Sequence, residues 1–190
     1  STNFLIVQFF SPNEVTVYNI GYKYFSVITM AFGIFLTPLW SAITEAFTVH
    51  DFVWIKNVMR KYRLLAILLS TTSIIMLIFS NTIYKIWVGN SINIPFALSA
   101  VLALQTIIYT FWSPYIAFLN GSGKIRLVSY MVIFQSIIYI PIAYILVRVL
   151  DIGLAGIIIA SIICELPIRI IQPIQYYKVV KGNATGIWAK

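Results

Sequence analysis

The chain has 190 residues, of which 61% are hydrophobic and 9% charged, and its mean hydropathy of +0.93 excludes an ordinary soluble domain. Thirteen Lys and Arg against five Asp and Glu give a net charge of +8, but the basic residues stand at the ends of apolar runs, which favours anionic lipid headgroups over nucleic acid as their partner. One cysteine, Cys164, excludes an internal disulfide and a multi-cysteine metal cluster.

The first apolar segment, residues 1–10, is too short to cross a bilayer and is predicted to be a partial helix. No initiator Met or basic segment precedes it, so we expect a fragment that begins within a helix and carries no signal peptide. A long helix is predicted over about 15–47, after a turn at Ser11-Pro12. At 1.5 Å per residue it would be about 50 Å long, so it must tilt or protrude from the membrane.

Residues 48–63 differ in character from the segments on either side. Phe52, Ile55 and Met59 recur at spacings of three and four, while lysines and arginines fill other positions. This pattern predicts an amphipathic interfacial helix that is too polar to insert into the bilayer.

Four further membrane spans are predicted, because each run approaches or exceeds the 20 or so apolar residues that about 30 Å of hydrocarbon requires. They cover residues 64–84, 96–119, 127–147 and 154–177, and a tail follows over 178–190. A polar connection over 85–95 separates the first two of these spans. The predicted fold class is all-α, a single polytopic transmembrane helix bundle.

The basic residues gather in alternate gaps between the spans. One group lies in 48–63, one is the pair Lys124 and Arg126, and one is the tail. By the positive-inside rule, these three segments are expected in the cytoplasm, which makes the C-terminus cytoplasmic.

Two short segments contain residue types that occur in enzyme sites. Gly121-Ser122-Gly123-Lys124 resembles half of a phosphate-binding loop, but Phe118 and Ile125 stand where that loop needs Gly and Ser or Thr, so a glycine-rich turn is the better interpretation. The only histidine, His50, is next to Asp51 at a predicted helix start, where capping is the simpler role. We therefore predict no catalytic residues.

Ionisable residues inside spans are the better functional candidates, because a charge in lipid costs at least about 2.5 kcal/mol. Glu165 and Arg169 lie one turn apart in the last span and can neutralise each other, either as a packing pair or as cavity lining. Lys23 either snorkels to the interface or faces a cavity. Arg148 has a weaker claim, as a rim charge beside Asp151.

Polar residues without charge also fall inside the predicted spans. They are Asn81, Gln105 and Gln135. Such residues usually form hydrogen bonds between helices, so they indicate a polar seam through the bundle.

Two segments resemble a known family. The sequence Pro38-Leu-Trp-Ser-Ala-Ile-Thr-Glu-Ala46 before the basic segment, and Asn120-Gly-Ser-Gly-Lys-Ile-Arg-Leu127, are similar to those of the polysaccharide-biosynthesis or O-antigen flippases. These flippases belong to the multidrug/oligosaccharidyl-lipid/polysaccharide exporter superfamily. The similarity extends over essentially the whole chain.

The resemblance implies that this chain is the C-terminal lobe of a two-lobe, twelve-helix transporter, with an N-terminal lobe as its partner. It implies transfer of an isoprenoid-pyrophosphate-linked oligosaccharide across the bacterial inner membrane for O-antigen or capsule assembly, by alternating access and without a cofactor. Lys23, Arg148, Arg169 and Glu165 are the substrate-binding candidates in the cavity.

Two other functions would require residues that are scarce in this sequence. A multidrug exporter of the same superfamily, driven by Na⁺ or H⁺, would need acidic residues deep in its cavity, and Glu165 is the only clear one. A polymerase or acyltransferase of glycan assembly would need catalytic Arg or His residues on long outer loops, whereas the outer loops here are short.

Overall fold

The structure, a computed structural model, describes residues 2–89 and 92–190, with no side-chain description for residues 2–4. The helices in order are α1 (Thr2–Phe9), α2 (Pro12–Thr48), α3 (Phe52–Val88), α4 (Phe96–Gly121), α5 (Arg126–Tyr144) with a π-helical turn (Ile145–Val149), α6 (Leu154–Val180) and a short 3-10 turn (Gly186–Ala189). Within these residues, five helices are long and apolar enough to cross a membrane. The predicted all-α polytopic bundle is confirmed, and the chain is a multi-pass membrane protein.

Residues 48–63 do not form a separate interfacial helix, so that prediction is corrected. The chain turns at His50, which has a φ of 60°, and the Asp51 carboxylate accepts a hydrogen bond of 2.9 Å from the backbone N–H of Trp54. Asp51 is therefore the N-cap that starts α3, as its position suggested. Residues 52–63 are the first turns of one 37-residue helix.

The length of α3 explains why its first residues, 52–63, are basic and amphipathic whereas residues 64–84 are free of charge. At 1.5 Å per residue it is about 55 Å long, whereas the hydrocarbon core is about 30 Å thick. The apolar part can cross the membrane while the basic first turns extend beyond the hydrocarbon. The amphipathic pattern therefore belongs to the protruding end of a transmembrane helix.

Other helix bounds also differ from the prediction. Pro12 stands at the start of α2, where its missing N–H costs nothing, so the helix begins before residue 15. The connection predicted over 85–95 is shorter, because α3 continues to Val88 and α4 begins after Pro95. Asn90 and Ser91 of that connection lie outside the described residues.

The helices α4 and α6 form the centre of the bundle. In each, 44% of the most apolar stretch is buried, against 17% to 22% in α2, α3 and α5. The outer helices leave large apolar side chains exposed, such as Ile34 at 73% and Ile78 at 68%. Apolar surface of this extent is expected to face lipid.

One end of the bundle gathers most of the positive charge. A buried cluster there packs Ile43 of α2, Met59 of α3, Phe118 of α4 and Tyr176 of α6 against one another. This brings the start of α3, the turn after α4 and the end of α6 together. We call this the basic end, and nine of the thirteen Lys and Arg lie in its segments: Lys56, Arg60, Lys61, Arg63, Lys124, Arg126, Lys178, Lys181 and Lys190.

The residues after α6 fold back onto the basic end. The buried Gln175 side-chain amide donates to the backbone oxygens of Lys124 at 3.0 Å and Trp188 at 3.2 Å. The backbone N–H of Arg126 donates to the oxygen of Lys190 at 3.3 Å. The segment predicted as a tail thus first completes α6 and then packs against the turn between α4 and α5.

Candidate functional site

A polar groove opens between α2, α4 and α6. Its volume is about 580 Å³. Its polar and aromatic lining consists of Tyr18, Asn19, Tyr22, Phe25, Ser26, Thr29, Gln105, Thr106, Tyr109, Glu165 and Arg169, with Met30 and Leu102 beside them. The α4 and α6 residues lie near the middle of their helices, so the groove is near the middle of the membrane-spanning region.

Glu165 and Arg169, two of the residues that line the groove, form an ion pair. The Arg169 Nη2 donates to Glu165 Oε2 at 2.7 Å, and the side chains of Arg169 and Glu165 are 13% and 24% exposed, respectively. Their spacing of four places them on one face of α6. Each charge is neutralised by the other, which makes burial of both tolerable.

The ion pair leaves part of the guanidinium without a partner. Arg169 Nε and Nη1 are buried and make no hydrogen bond to the described residues. An unpaired buried donor costs about 1–3 kcal/mol, more when charged. Arg169 lines the groove, but these two nitrogens are buried beneath its surface, so an acceptor in the groove would reach them only after the side chain or its neighbours move. The wall of the groove therefore contains a charged side chain with unused hydrogen-bonding capacity.

A proline and a tryptophan position Arg169. Pro173 has no N–H, so it cannot donate the helical hydrogen bond to the carbonyl four residues earlier, which is that of Arg169. The indole Nε1 of Trp112 donates to this carbonyl from α4. The sequence analysis missed this contact, although the spacing of Pro173 from Arg169 signals a free carbonyl.

Further polar contacts join the helices near the groove. The Gln105 side chain donates to Ser161 Oγ at 3.2 Å, which links α4 to α6 and confirms the hydrogen bond predicted for Gln105. Ser70 and Thr110 share a buried hydrogen bond of 3.2 Å between α3 and α4. Sequence reasoning missed this pair because Ser and Thr in apolar helices often bond to their own backbone.

Lys23 lies on α2 at the margin of the groove. It is exposed and is not among the lining residues. Asn19 and Ser26, four residues before it and three after it, do line the groove. Lys23 therefore lies on the same stretch of α2 as the groove wall, with its side chain outside the lining.

Arg148 lies away from the groove, at the end opposite the basic end. Its Nη2 donates to the backbone oxygen of Phe9 at 3.3 Å, and its guanidinium carbon is 5.8 Å from the centroid of the Phe9 ring. The structure thus brings Glu165 and Arg169 into one groove, leaves Lys23 at its margin and does not bring in Arg148.

The groove lining can form hydrogen bonds and ionic contacts with a polar ligand. The groove lining contains hydroxyl, amide, phenol, carboxylate and guanidinium groups, and neither His nor Cys is among these residues. Comparison with protein-family models, with curated proteins and with solved structures gives no match to this chain.

Proposed function

We propose that the chain is one lobe of a transporter that moves an isoprenoid-pyrophosphate-linked oligosaccharide across the bacterial inner membrane for surface-polysaccharide assembly. The observation that carries this proposal is the polar groove in an otherwise apolar bundle, where Arg169 holds buried N–H groups without partners. Polar surface at that depth is costly unless something polar uses it.

The chemistry of such a substrate fits the groove. Sugar hydroxyls need hydrogen-bonding partners, which Asn19, Gln105 and Thr106 supply. A pyrophosphate needs cationic donors, and Arg169 has two guanidinium nitrogens without partners among the described residues; a movement of the groove wall would have to expose them to the substrate. The isoprenoid chain can remain in the lipid. A binding site near the middle of the bilayer is also what alternating access requires.

The two segments that carry the family resemblance are neighbours in space. A Cβ added to Gly121 would lie 2.8 Å from Ile43 Cγ2 and 2.9 Å from the oxygen of Trp40. The two segments therefore specify one close crossing of α2 and α4 at the basic end. With most of the positive charge there, the positive-inside rule supports a cytoplasmic basic end and C-terminus.

A cation-coupled drug exporter has less support. Such a transporter needs an acidic side chain free to bind the ion, whereas Glu165 is held by Arg169 at 2.7 Å.

The proposal is tested by export in a bacterial strain whose surface polysaccharide depends on the full protein. Arg169→Ala should lower surface polysaccharide by about tenfold or more at unchanged membrane abundance, because it removes the charged donors. Lys23→Ala at the groove margin should lower it less. Lys85→Ala is the matched control, since Lys85 is exposed at the end of α3. Normal export by both Arg169→Ala and Lys23→Ala would contradict the proposal.

A further inference from the structure

A second, smaller cleft lies at the basic end, between α3, α4 and α6. Its volume is about 160 Å³, too small for an oligosaccharide. It has a cationic mouth at Arg63 and otherwise mostly apolar and aromatic walls: Met59, Phe111, Trp112, Pro114, Tyr115 and Pro173.

The charge of Arg63 is not neutralised by a carboxylate. Its Nη2 donates to the hydroxyl of Tyr177 at 3.2 Å, and Tyr115 interacts with the same guanidinium. Phenols are uncharged near neutral pH. Among the residues that the structure describes, the single ion pair is that of Glu165 and Arg169. Arg63 is also exposed, so its remaining donors are accessible.

From its position along the helices, the cleft is expected at the depth where headgroups meet acyl chains. Pro114 is seven residues before the end of α4 at Gly121, and Pro173 is seven before the end of α6 at Val180. At 1.5 Å per residue, both are about 10 Å inside the basic end. Arg63 is the last charged residue of α3 before the charge-free run over 64–84. A molecule in the cleft would therefore be polar at one end and apolar at the other.

The positive charge around the cleft favours a ligand whose polar end is negatively charged. The segments of the basic end hold nine Lys and Arg, but only Glu45 and Asp51 as acidic residues. Positive charge near the membrane surface attracts anionic lipids. Arginine is also well suited to phosphate oxygens, because its guanidinium presents several donors in a fixed plane.

We propose that this cleft binds one anionic phospholipid from the leaflet at the basic end. The lipid phosphate accepts hydrogen bonds from Arg63, with the hydroxyls of Tyr115 and Tyr177 beside it. The upper part of an acyl chain packs against Phe111, Pro114 and Pro173. The lipid would lie in the space between α3, α4 and α6, where none of the described residues that line the cleft also lines the polar groove.

The test is lipid binding to the purified, delipidated protein in detergent, measured by native mass spectrometry. The probes are phosphatidylglycerol and phosphatidylcholine with identical acyl chains. We expect tighter binding of phosphatidylglycerol, weakened about fivefold or more by Arg63→Gln. Arg60→Gln is the matched control, because it removes the same charge from an exposed position on α3 outside the cleft. It should change the affinity by less than about twofold.

Two further measurements distinguish a lipid site from a site for free phosphate and from diffuse attraction to positive charge. Phe111→Ala should weaken binding of the same lipid while leaving the charge unchanged, and millimolar inorganic phosphate should not displace it. Equal weakening by Arg63→Gln and Arg60→Gln would mean diffuse attraction to the basic end and would overturn the proposal. Equal affinity for phosphatidylcholine, or displacement by inorganic phosphate, would overturn it as well.

Discussion

At the scale of single residues, the backbone carbonyl of Arg169 connects the packing of α4 and α6 to the candidate site. Pro173 removes the usual donor to that carbonyl, and Trp112 supplies another from a different helix. The same stretch of α6 carries the Glu165–Arg169 pair in the groove. Pro173 therefore leaves the Arg169 carbonyl free to accept from Trp112. This hydrogen bond joins α4 to Arg169, whose Nε and Nη1 have no partner among the described residues.

This contact predicts a specific coupling between Trp112 and Pro173. Trp112→Phe keeps an aromatic ring but removes the N–H, and should lower the free energy of unfolding by about 1 kcal/mol. In a Pro173→Ala background the new backbone N–H can donate to the Arg169 carbonyl, so Trp112→Phe should cost clearly less. Denaturant unfolding in mixed micelles measures both effects.

Trp87→Phe provides the control for the loss of indole as such. Trp87 is 54% exposed near the end of α3, so its replacement should change stability by no more than about 0.5 kcal/mol. An equal cost of Trp112→Phe with and without Pro173 would show that the indole does not replace the lost helical hydrogen bond.

At the scale of helices, Gly121 sets how closely α2 and α4 approach. A Cβ there would meet the Trp40 backbone oxygen at 2.9 Å, and a backbone atom cannot simply rotate away. Gly33, also in a helix, has nothing within 4 Å of an added Cβ. The two glycines therefore have opposite structural roles although both are helical.

We predict opposite signs for alanine at these two glycines. Gly121→Ala should destabilise the protein by about 1–3 kcal/mol, because overpacking forces the helices apart. Gly33→Ala should leave stability unchanged or raise it by up to about 1 kcal/mol, because alanine favours helix. Thermal unfolding of both variants measures the difference. Similar losses for both would contradict the close crossing.

The number of membrane-spanning helices could be predicted from the sequence, but the continuity of residues 52–88 as one helix was not predicted. Apolar runs indicate which residues can enter lipid, and basic residues indicate which residues lie near the membrane surface. Neither pattern shows where a helix ends. Residues 52–88 contain no Gly or Pro, which was the available signal that α3 is unbroken. The return of the last residues onto the basic end depends on Gln175, whose long-range contacts leave no local pattern.

The candidate site was predictable in part for similar reasons. Glu165 and Arg169 are close in sequence, so their pairing follows from helical spacing. Whether Lys23 or Arg148 joins them depends on how helices rotate about their axes, which spacing within one helix does not determine. The structure places Lys23 at the margin and Arg148 near Phe9.

At the scale of the whole molecule, two kinds of exposed surface must be distinguished. Exposed apolar side chains such as Ile78 are expected to face lipid, whereas the groove near Ser26 and Arg169 is expected to hold water or substrate. Both surfaces are open in the isolated chain. A membrane would make the apolar outer surface inaccessible to an aqueous reagent and leave the groove accessible.

Substituted-cysteine labelling in sealed membranes tests this central claim most directly. In a Cys164→Ala background, Ser26→Cys in the groove and Ile78→Cys on the outer face are exposed to a membrane-impermeant thiol reagent. We predict that Ser26→Cys is labelled from an aqueous side and that Ile78→Cys is not, although Ile78 is 68% exposed in the bundle. Labelling of both positions would contradict a lipid-embedded bundle, and labelling of neither would contradict a water-accessible groove.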